Sequence, residues 1–150
     1  MTVSRDIAAS ADSVWTTITD VDAFADVLSG VERIERLDDG AAFGVGVRWR
    51  ETRVVLGRES TEELEVTDVE PQRSYTVRAE SAGTSYVSVL RVEALGQHHC
   101  RLTMSFTAAA SGLLGRVLGA TLGRLFLRTT REMLRQDLAD IAASAEGAAR

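Results

Sequence analysis

The chain has 150 residues, of which 45% are hydrophobic and 26% charged, and this balance predicts one globular domain covering residues 1–150. Its single cysteine, Cys100, excludes a disulfide framework and a multi-cysteine zinc or iron–sulfur site within one chain. The net charge of −5 disfavours nucleic acid as a partner. No uncharged stretch is long and apolar enough for a membrane span and no signal peptide is visible, so we expect a cytoplasmic protein.

The predicted elements begin with a short strand and two short helices. Residues Thr2–Ile7 place apolar side chains on one face, which is typical of a strand. Ser10 is a favourable N-cap for a helix whose apolar stripe includes Trp15, which is predicted to pack in the core. A second short helix begins near Asp20 and ends at Gly30, a residue type that favours helix C-termini.

The hydrophobic period changes from that of a helix to that of a strand after Gly30, and it returns to that of a helix after Ser111. Turn-forming residues separate six strand-like runs, which predicts a meander of hairpins. These runs are Val31–Leu37, Val45–Val55, Arg58–Val69, Ser74–Glu80, Ser85–Ala94 and Cys100–Ala108. The final pattern lasts to about Ala143 and predicts one long terminal helix.

These elements predict an α+β fold with a seven-stranded antiparallel sheet and a long C-terminal helix. A sheet with one apolar face must cover that face, and the terminal helix is the only predicted element long enough to do so. We expect the twisted sheet to curl around this helix, with the two short helices following the first strand. A sheet that curls in this way need not close tightly, and the remaining gap would form a ligand cavity.

Several segments resemble the START and polyketide cyclase/dehydrase-like (SRPBCC) superfamily, which has the helix-grip fold. They are Ala11–Trp15 with the following Asp20, Gly44–Arg50, Val66–Pro71 and the closing long helix. The likeness covers essentially the whole chain, and these segments look like those of the bacterial polyketide cyclase/dehydrase-type members. The resemblance assigns no catalytic residue to this chain, because the members of the superfamily share no common catalytic residue.

The resemblance implies a cavity that binds lipids, sterols, polyketides or other apolar molecules, and some members cyclise or dehydrate a bound chain. The first functional hypothesis is therefore a domain that binds a small hydrophobic ligand, such as a lipid, polyketide or isoprenoid-like molecule. The alternatives are a polyketide cyclase or dehydratase that uses an inward carboxylate, and a protein-interaction module without a ligand. No cofactor is predicted, and the protein is expected to be a monomer or a homodimer.

Charged residues follow the apolar ones on the third and fourth strands. Placing Trp49 opposite Leu64 extends the register so that Glu51 lies opposite Glu62, on the face turned toward the helix. Two opposed carboxylates repel, which would raise the pKa of one of them unless Arg53 neutralises the pair. Either these residues face the cavity as a potential general acid or base, or they leave it near the hairpin end and form a solvated ion cluster.

The later strands place further side chains on the inward face. Tyr75, Tyr86, Met104 and Phe106 all point toward the helix in the predicted register. A buried tyrosine hydroxyl usually has a hydrogen-bond partner, and a ligand oxygen or an inward glutamate would serve as one. Methionine suits an adaptable cavity wall.

The terminal helix separates charged residues from apolar ones. Arg124, Arg128, Arg131 and Arg135 fall within one arc, which predicts a solvated face or a partner surface. The opposite arc is predicted to face the sheet and contains Leu118, Leu122, Leu125, Phe126, Thr129 and Met133, together with Gly115 and Gly119. These glycines are open to three interpretations, which are tight packing on the sheet, space for a ligand, and close approach of another helix.

The sequence therefore predicts an apolar site with a few polar groups. The adjacent His98, His99 and Cys100 do not suggest a metal site, because neighbouring strand residues point to opposite faces and no further ligand has suitable spacing. The candidate catalytic residues are Glu51, Glu62, Tyr75 and Tyr86. The predicted ligand contacts are Trp49, Glu51, Arg53, Glu62, Leu64, Tyr75, Tyr86, Met104, Phe106, Gly115, Leu118, Gly119, Leu122 and Phe126.

Overall fold

A computed structural model of the chain describes residues 1–81, 83–110 and 113–148, with side chains at all of these positions except 81, 110 and 113–122. The α+β helix-grip arrangement predicted from the sequence is confirmed. In chain order the elements are β1 (Thr2–Ile7), α1 (Ala11–Thr19), a 3-10 helix (Val21–Ala23), α2 (Phe24–Val27), β2 (Val31–Arg36), β3 (Arg48–Val55), β4 (Arg58–Glu70), β5 (Ser74–Ser81), β6 (Thr84–Gly96), β7 (His99–Ala110) and α3 (Leu113–Ala148).

The seven strands form one antiparallel sheet in the order β1-β7-β6-β5-β4-β3-β2. Strands β2 to β7 are joined as sequential neighbours, and β1 pairs with β7, so that β1 and β2 are the two edges. The β3–β4 hairpin turns through Leu56 and Gly57, which both have positive φ, as a tight two-residue turn between twisted strands requires. Only inward side chains of this sheet meet the helices, which is why polar and apolar residues alternate along the strands.

The first helix begins as the sequence predicts. The side chain of Ser10 accepts a hydrogen bond from the backbone N–H of Ser13 at 3.1 Å, and Asp12 lies in the first turn, where the helix dipole favours a negative charge. Val14, Trp15 and Ile18 are buried on one face. This cap and stripe fix α1 above the sheet.

The third strand begins later than predicted, at Arg48 instead of Val45. Gly46 has φ 93°, a conformation that glycine adopts without strain, and the backbone N–H of Val47 donates to the carbonyl of Gly44 at 3.2 Å. A turn therefore occupies this position, and Val45 is exposed. Val45 and Val47, separated by Gly46, show the alternation that is typical of a strand, but in the structure Gly46 lies in a turn.

The terminal helix packs on the sheet mainly through its C-terminal half. Leu134, Leu138 and Ile141 are buried, and the helix continues past the predicted Ala143 because Ala145 is also fully buried in the core. Residues 124–128 are exposed, and this segment includes two of the four arginines predicted to lie on a solvated face; Arg131 and Arg135 are exposed as well. In the part of the chain that the structure describes, no helix is long and apolar enough to cross a membrane.

Candidate functional site

Two adjoining spaces lie between the sheet and α3. We call them the inner chamber, of about 150 Å³, and the outer chamber, of about 530 Å³. The inner chamber lies toward α1 and α2, and the outer chamber lies between the β3–β4 hairpin and the exposed segment of α3. Residues shared by both walls are Glu51, Arg53, Glu62, Tyr86, Phe106 and Met133. These shared residues mark the junction of the two chambers.

The ligand contacts predicted from the sequence lie in these walls wherever their side chains are described. The inner chamber is lined by Trp49, Glu51, Arg53, Glu62, Leu64, Tyr75, Tyr86, Met104 and Phe106, and the outer chamber also by Phe126. The other four, Gly115, Leu118, Gly119 and Leu122, fall outside the described side chains. Lining a cavity is a geometric observation, and the part of these residues in binding remains a prediction.

The register of β3 and β4 is the one predicted. Trp49 pairs with Leu64 and Glu51 pairs with Glu62. The side chains of Glu51 and Arg53 are only 11% and 15% exposed, so the alternative of a solvated ion cluster is wrong for these two residues. The solvated pairs lie on the other face, where Arg50 donates to Glu35 and Glu63.

Arg53 is held by two carboxylates at the junction. Its Nε donates to Glu51 at 3.0 Å, and its two terminal nitrogens donate to the two oxygens of Asp137 at 3.1 and 3.0 Å. Burial alone would lower the pKa of Arg53, but the charges of Glu51 and Asp137 raise it above its ordinary value, and the guanidinium stays charged. This bidentate pair joins the sheet to α3.

Asp137 is the polar residue that the sequence analysis missed. It lies on α3 with its side chain only 5% exposed, and burial raises its pKa while Arg53 limits the rise. Its position was detectable, because Asp137 follows Met133 by four residues and precedes Ile141 by four, on the inward arc of the helix. An aspartate within an apolar helix face requires a buried partner.

Glu62 is half-buried and lines both chambers. Burial raises its pKa, the charge of Glu51 raises it further, and Arg53 acts in the opposite direction. Among the described residues, none donates a hydrogen bond to its carboxylate. Glu62 is therefore the acidic group of the junction that remains available to a ligand.

The two predicted tyrosines have different environments. The hydroxyl of Tyr75 donates to the backbone carbonyl of Ile18 at 2.6 Å, not to a glutamate or a ligand oxygen as predicted, because Tyr75 lies directly beneath α1. Burial raises its pKa well above the ordinary value. Tyr86 is half-buried, stacks on Phe106 with a ring separation of 5.6 Å and lies 6.5 Å from Phe126. Burial and the charge of Glu62 raise the pKa of Tyr86 as well.

The two tryptophans also have different roles. Trp49 is 2% exposed in the inner wall and meets the ring of Phe24 edge-on at 5.8 Å. Its indole nitrogen has no acceptor among the described residues. Trp15 packs against Phe43 and Tyr75 and lines neither chamber, in agreement with its predicted packing role.

The His98–Cys100 segment does not form a cluster. His98 and His99 are exposed, whereas Cys100 is buried. Within the described residues there is no group of three histidine, cysteine, aspartate or glutamate side chains placed to hold a metal ion. The charged side chains that line the two chambers, among those described, are Glu51, Arg53, Glu62 and Asp137.

Comparison with known proteins finds the same fold. Among solved structures, the protein TTHA0849 from Thermus thermophilus is 20% identical, with a TM-score of 0.78 over 100% of this chain and 99% of that chain. The Zhui aromatase/cyclase from Streptomyces sp. R1128 is 23% identical, with a TM-score of 0.74 over 100% and 94%. A START superfamily protein from Mycobacterium smegmatis is 11% identical, with a TM-score of 0.69 over 94% and 97%. At these identities the likeness establishes the fold.

Two sequence comparisons complete the assignment. No curated protein matches the chain. A family model described as polyketide cyclase/dehydrase and lipid transport matches residues 1–146. Because this model spans almost the entire sequence, the chain belongs to the polyketide cyclase/dehydrase and lipid transport family.

Proposed function

We propose that this protein binds a small, largely apolar molecule in the cavity between its sheet and α3. The observation that carries this proposal is a pair of chambers of about 150 and 530 Å³ whose walls are mostly aliphatic and aromatic. Removing apolar surface from water stabilises a complex by roughly 25 cal/mol per Å². The few polar groups at the junction would then fix the orientation of the ligand.

The described walls favour binding because they are supported before a ligand arrives. In the wall of the inner chamber, Ile18, Phe24 and Leu28 are buried in the main core. On the opposite side, Arg53 and Asp137 join β3 to α3 through two hydrogen bonds. A preformed cavity avoids part of the ordering entropy that binding otherwise costs.

The proposal is tested with N-phenyl-1-naphthylamine, an uncharged dye whose fluorescence rises in apolar surroundings. We expect saturable binding to the wild-type protein. Ser88 lines the inner chamber, so Ser88→Phe should fill it and weaken dye binding by about tenfold or more, equivalent to roughly 1.4 kcal/mol. Fluorescence titration measures both dissociation constants.

The matched control is Val87→Phe, one residue away on the same strand. Val87 lines neither chamber, because adjacent strand residues point to opposite faces. The control should bind the dye as the wild type does, and circular dichroism should show that both variants are folded. Equal dye affinity in the wild type and folded Ser88→Phe would exclude the inner chamber as the binding site.

A second candidate function, polyketide cyclisation with dehydration, is supported by Glu62. Its raised pKa and its place in both walls beside Tyr86 suit a group that exchanges a proton with a ligand. The Glu62 carboxylate would remove a proton from a carbon between two carbonyls, the resulting enolate would attack a further carbonyl of the same chain, and the alkoxide formed would take this proton back from Glu62. Loss of the new hydroxyl together with a hydrogen from the adjacent carbon would then release water and leave a carbon–carbon double bond. Glu62→Gln should then retain dye binding within a few-fold but stop cyclisation of a poly-β-ketone thioester, and retained turnover would exclude this role.

The third hypothesis, an interaction module without a ligand, required a filled interior. Neither chamber is filled by side chains of the described residues, so this alternative is not favoured.

A further inference from the structure

We propose that the ligand carries a protonated amine, which binds at the chamber junction between the Glu62 carboxylate and the aromatic rings of Tyr86, Phe106 and Phe126. This inference rests on the proposed function, and it adds the chemical class of the molecule bound. Its basis is the charge and the aromatic composition of one part of the cavity wall.

The described charges at the junction are unequal. Three carboxylates, those of Glu51, Glu62 and Asp137, line the inner chamber together with one guanidinium, that of Arg53. The guanidinium already donates to Glu51 through one nitrogen and to Asp137 through two. Its positive charge is therefore offset within the protein, and the described wall retains an excess of negative charge.

Glu62 is the carboxylate through which this excess negative charge can act on a ligand. It lines both chambers, and no described residue donates a hydrogen bond to it. A carboxylate only accepts hydrogen bonds, whereas an ammonium group only donates them and carries the opposite charge. A carboxylate on the ligand would instead meet a wall of like charge.

The aromatic residues supply a second, independent observation. The Tyr86 and Phe106 rings stack at 5.6 Å, and Phe126 lies 6.4 Å from Phe106 and 6.5 Å from Tyr86. These three residues line the outer chamber together with Glu62. Aromatic faces attract cations, and a site that combines several rings with a carboxylate is suited to an ammonium group.

The test uses three ligands of nearly equal shape, 1-naphthylmethylamine, 1-naphthalenemethanol and 1-naphthoic acid, each competing with N-phenyl-1-naphthylamine at pH 7. We expect the amine to bind most tightly and the acid least tightly. Glu62→Gln should weaken amine binding by about tenfold or more, because it removes a charge-assisted hydrogen bond, while changing alcohol binding little. Phe126→Leu should reduce the preference for the amine over the alcohol by about two- to fivefold.

Glu63→Gln is the matched control for charge. Glu63 is the next residue on β4, faces solvent on the other side of the sheet and pairs with Arg48 and Arg50. This variant removes the same charge outside the cavity and should retain the preference for the amine. In the wild type, lowering the pH should reduce that preference as Glu62 becomes protonated in its setting of Glu51, Arg53, Tyr86 and Asp137.

The outcomes separate the two proposals. If neither the dye nor any of the three ligands binds, the cavity function fails and the amine inference fails with it. If the dye and the alcohol bind but the amine has no advantage, or if the acid binds most tightly through Arg53, the amine inference is overturned while the cavity function stands. The pH series on the wild type and the exposed Phe126→Leu substitution give an answer even if Glu62→Gln does not fold.

Discussion

Two glutamates face each other across β3 and β4, an arrangement that destabilises a sheet when nothing compensates for it. Glu51 and Glu62 are cross-strand partners, and both line the inner chamber. Arg53 donates to Glu51 but not to Glu62, so the compensation is unequal. Burial raises the pKa of Glu62 above its ordinary value and the charge of Glu51 raises it further, so this glutamate carries the unrelieved part of the repulsion.

This asymmetry predicts a pH-dependent stability. Because the folded protein holds the Glu62 proton more tightly than the unfolded chain, the contribution of Glu62 to the free energy of unfolding falls as the pH rises from 4.5, its ordinary pKa, through the raised folded value. Glu62→Gln removes this loss, so the variant should be more stable than the wild type at pH 7, with the difference shrinking toward pH 4. Urea unfolding across this pH range measures the effect.

Glu63→Gln is again the appropriate control, since Glu63 is exposed and forms pairs outside the cavity. It should not show the same pH-dependent gain. A wild-type protein that is more stable than Glu62→Gln at pH 7 would contradict the assigned environment of Glu62.

At this scale, alternation along the strands was enough to pair Glu51 with Glu62, because a strand has a period of two and the neighbouring apolar residues fix its register. The partner of Tyr75 was not predictable in the same way. Its hydroxyl meets the carbonyl of Ile18, which is 57 residues away in sequence and is brought there by the packing of α1 on the sheet. The period of a strand determines which face of the sheet a side chain occupies, but not which residues of other elements pack against that face.

At the scale of elements, one buried ion pair connects β3 to α3. Asp137 accepts two hydrogen bonds from Arg53, and both side chains are largely removed from water. Breaking such a pair by changing one partner leaves the other charge buried with fewer contacts. The same pair forms part of the chamber wall, so it links the attachment of the helix to the shape of the site.

Asp137→Asn should therefore lower the free energy of unfolding by about 3 kcal/mol, because Arg53 remains charged and retains only Glu51 as an ionic partner. Urea unfolding monitored by circular dichroism measures the change. Glu132→Gln is the control on the same helix, where Glu132 forms an exposed pair with Arg128 at 3.2 Å. Such pairs contribute little, so an equal loss in both variants would show that the Arg53–Asp137 pair has no special role.

The helical period correctly predicted that Arg124, Arg128, Arg131 and Arg135 are exposed, but it did not predict how the opposite face is covered. Leu125 and Phe126 belong to the arc predicted to face the sheet, yet they are 54% and 42% exposed. Periodicity gives the direction of a side chain and not the distance to the surface it faces. Farther along the helix, Leu134 and Ile141 are buried, because there the helix meets the core.

At the scale of the whole molecule, the cavity has a closed end and an open end. The closed end lies under α1 and α2, where Ile18, Phe24 and Leu28 are buried. The open end lies between the exposed β3–β4 turn at Leu56 and the segment of α3 at residues 123–129. The order of elements predicted the layers and the cavity, since only α3 could cover the sheet, but the location of the opening depends on where the helix leaves the core.

This difference predicts unequal amide exchange along α3. Residues 123–129 have few buried contacts and should exchange faster than residues 134–145, because local opening exposes less apolar surface there. Binding of N-phenyl-1-naphthylamine should slow exchange at 123–129 more than at 134–145. Hydrogen–deuterium exchange followed by mass spectrometry measures both segments, and uniform protection along the helix would contradict the prediction.

Ser88→Phe supplies the control, since it fills the inner chamber and should remove the effect of the dye on exchange. If the dye protects residues 123–129 equally in this variant, it binds in the outer chamber without entering the inner one.

Because α3 packs on the core mainly through its C-terminal half, the protein can hold ligands of different size. Leu134, Leu138 and Ile141 fix the far end of the helix, while the residues over the opening are solvated. A small change in the angle between helix and sheet would therefore widen the mouth without separating any core side chains. The protein could then accommodate molecules of different size by tilting α3, while the inner chamber stays unchanged.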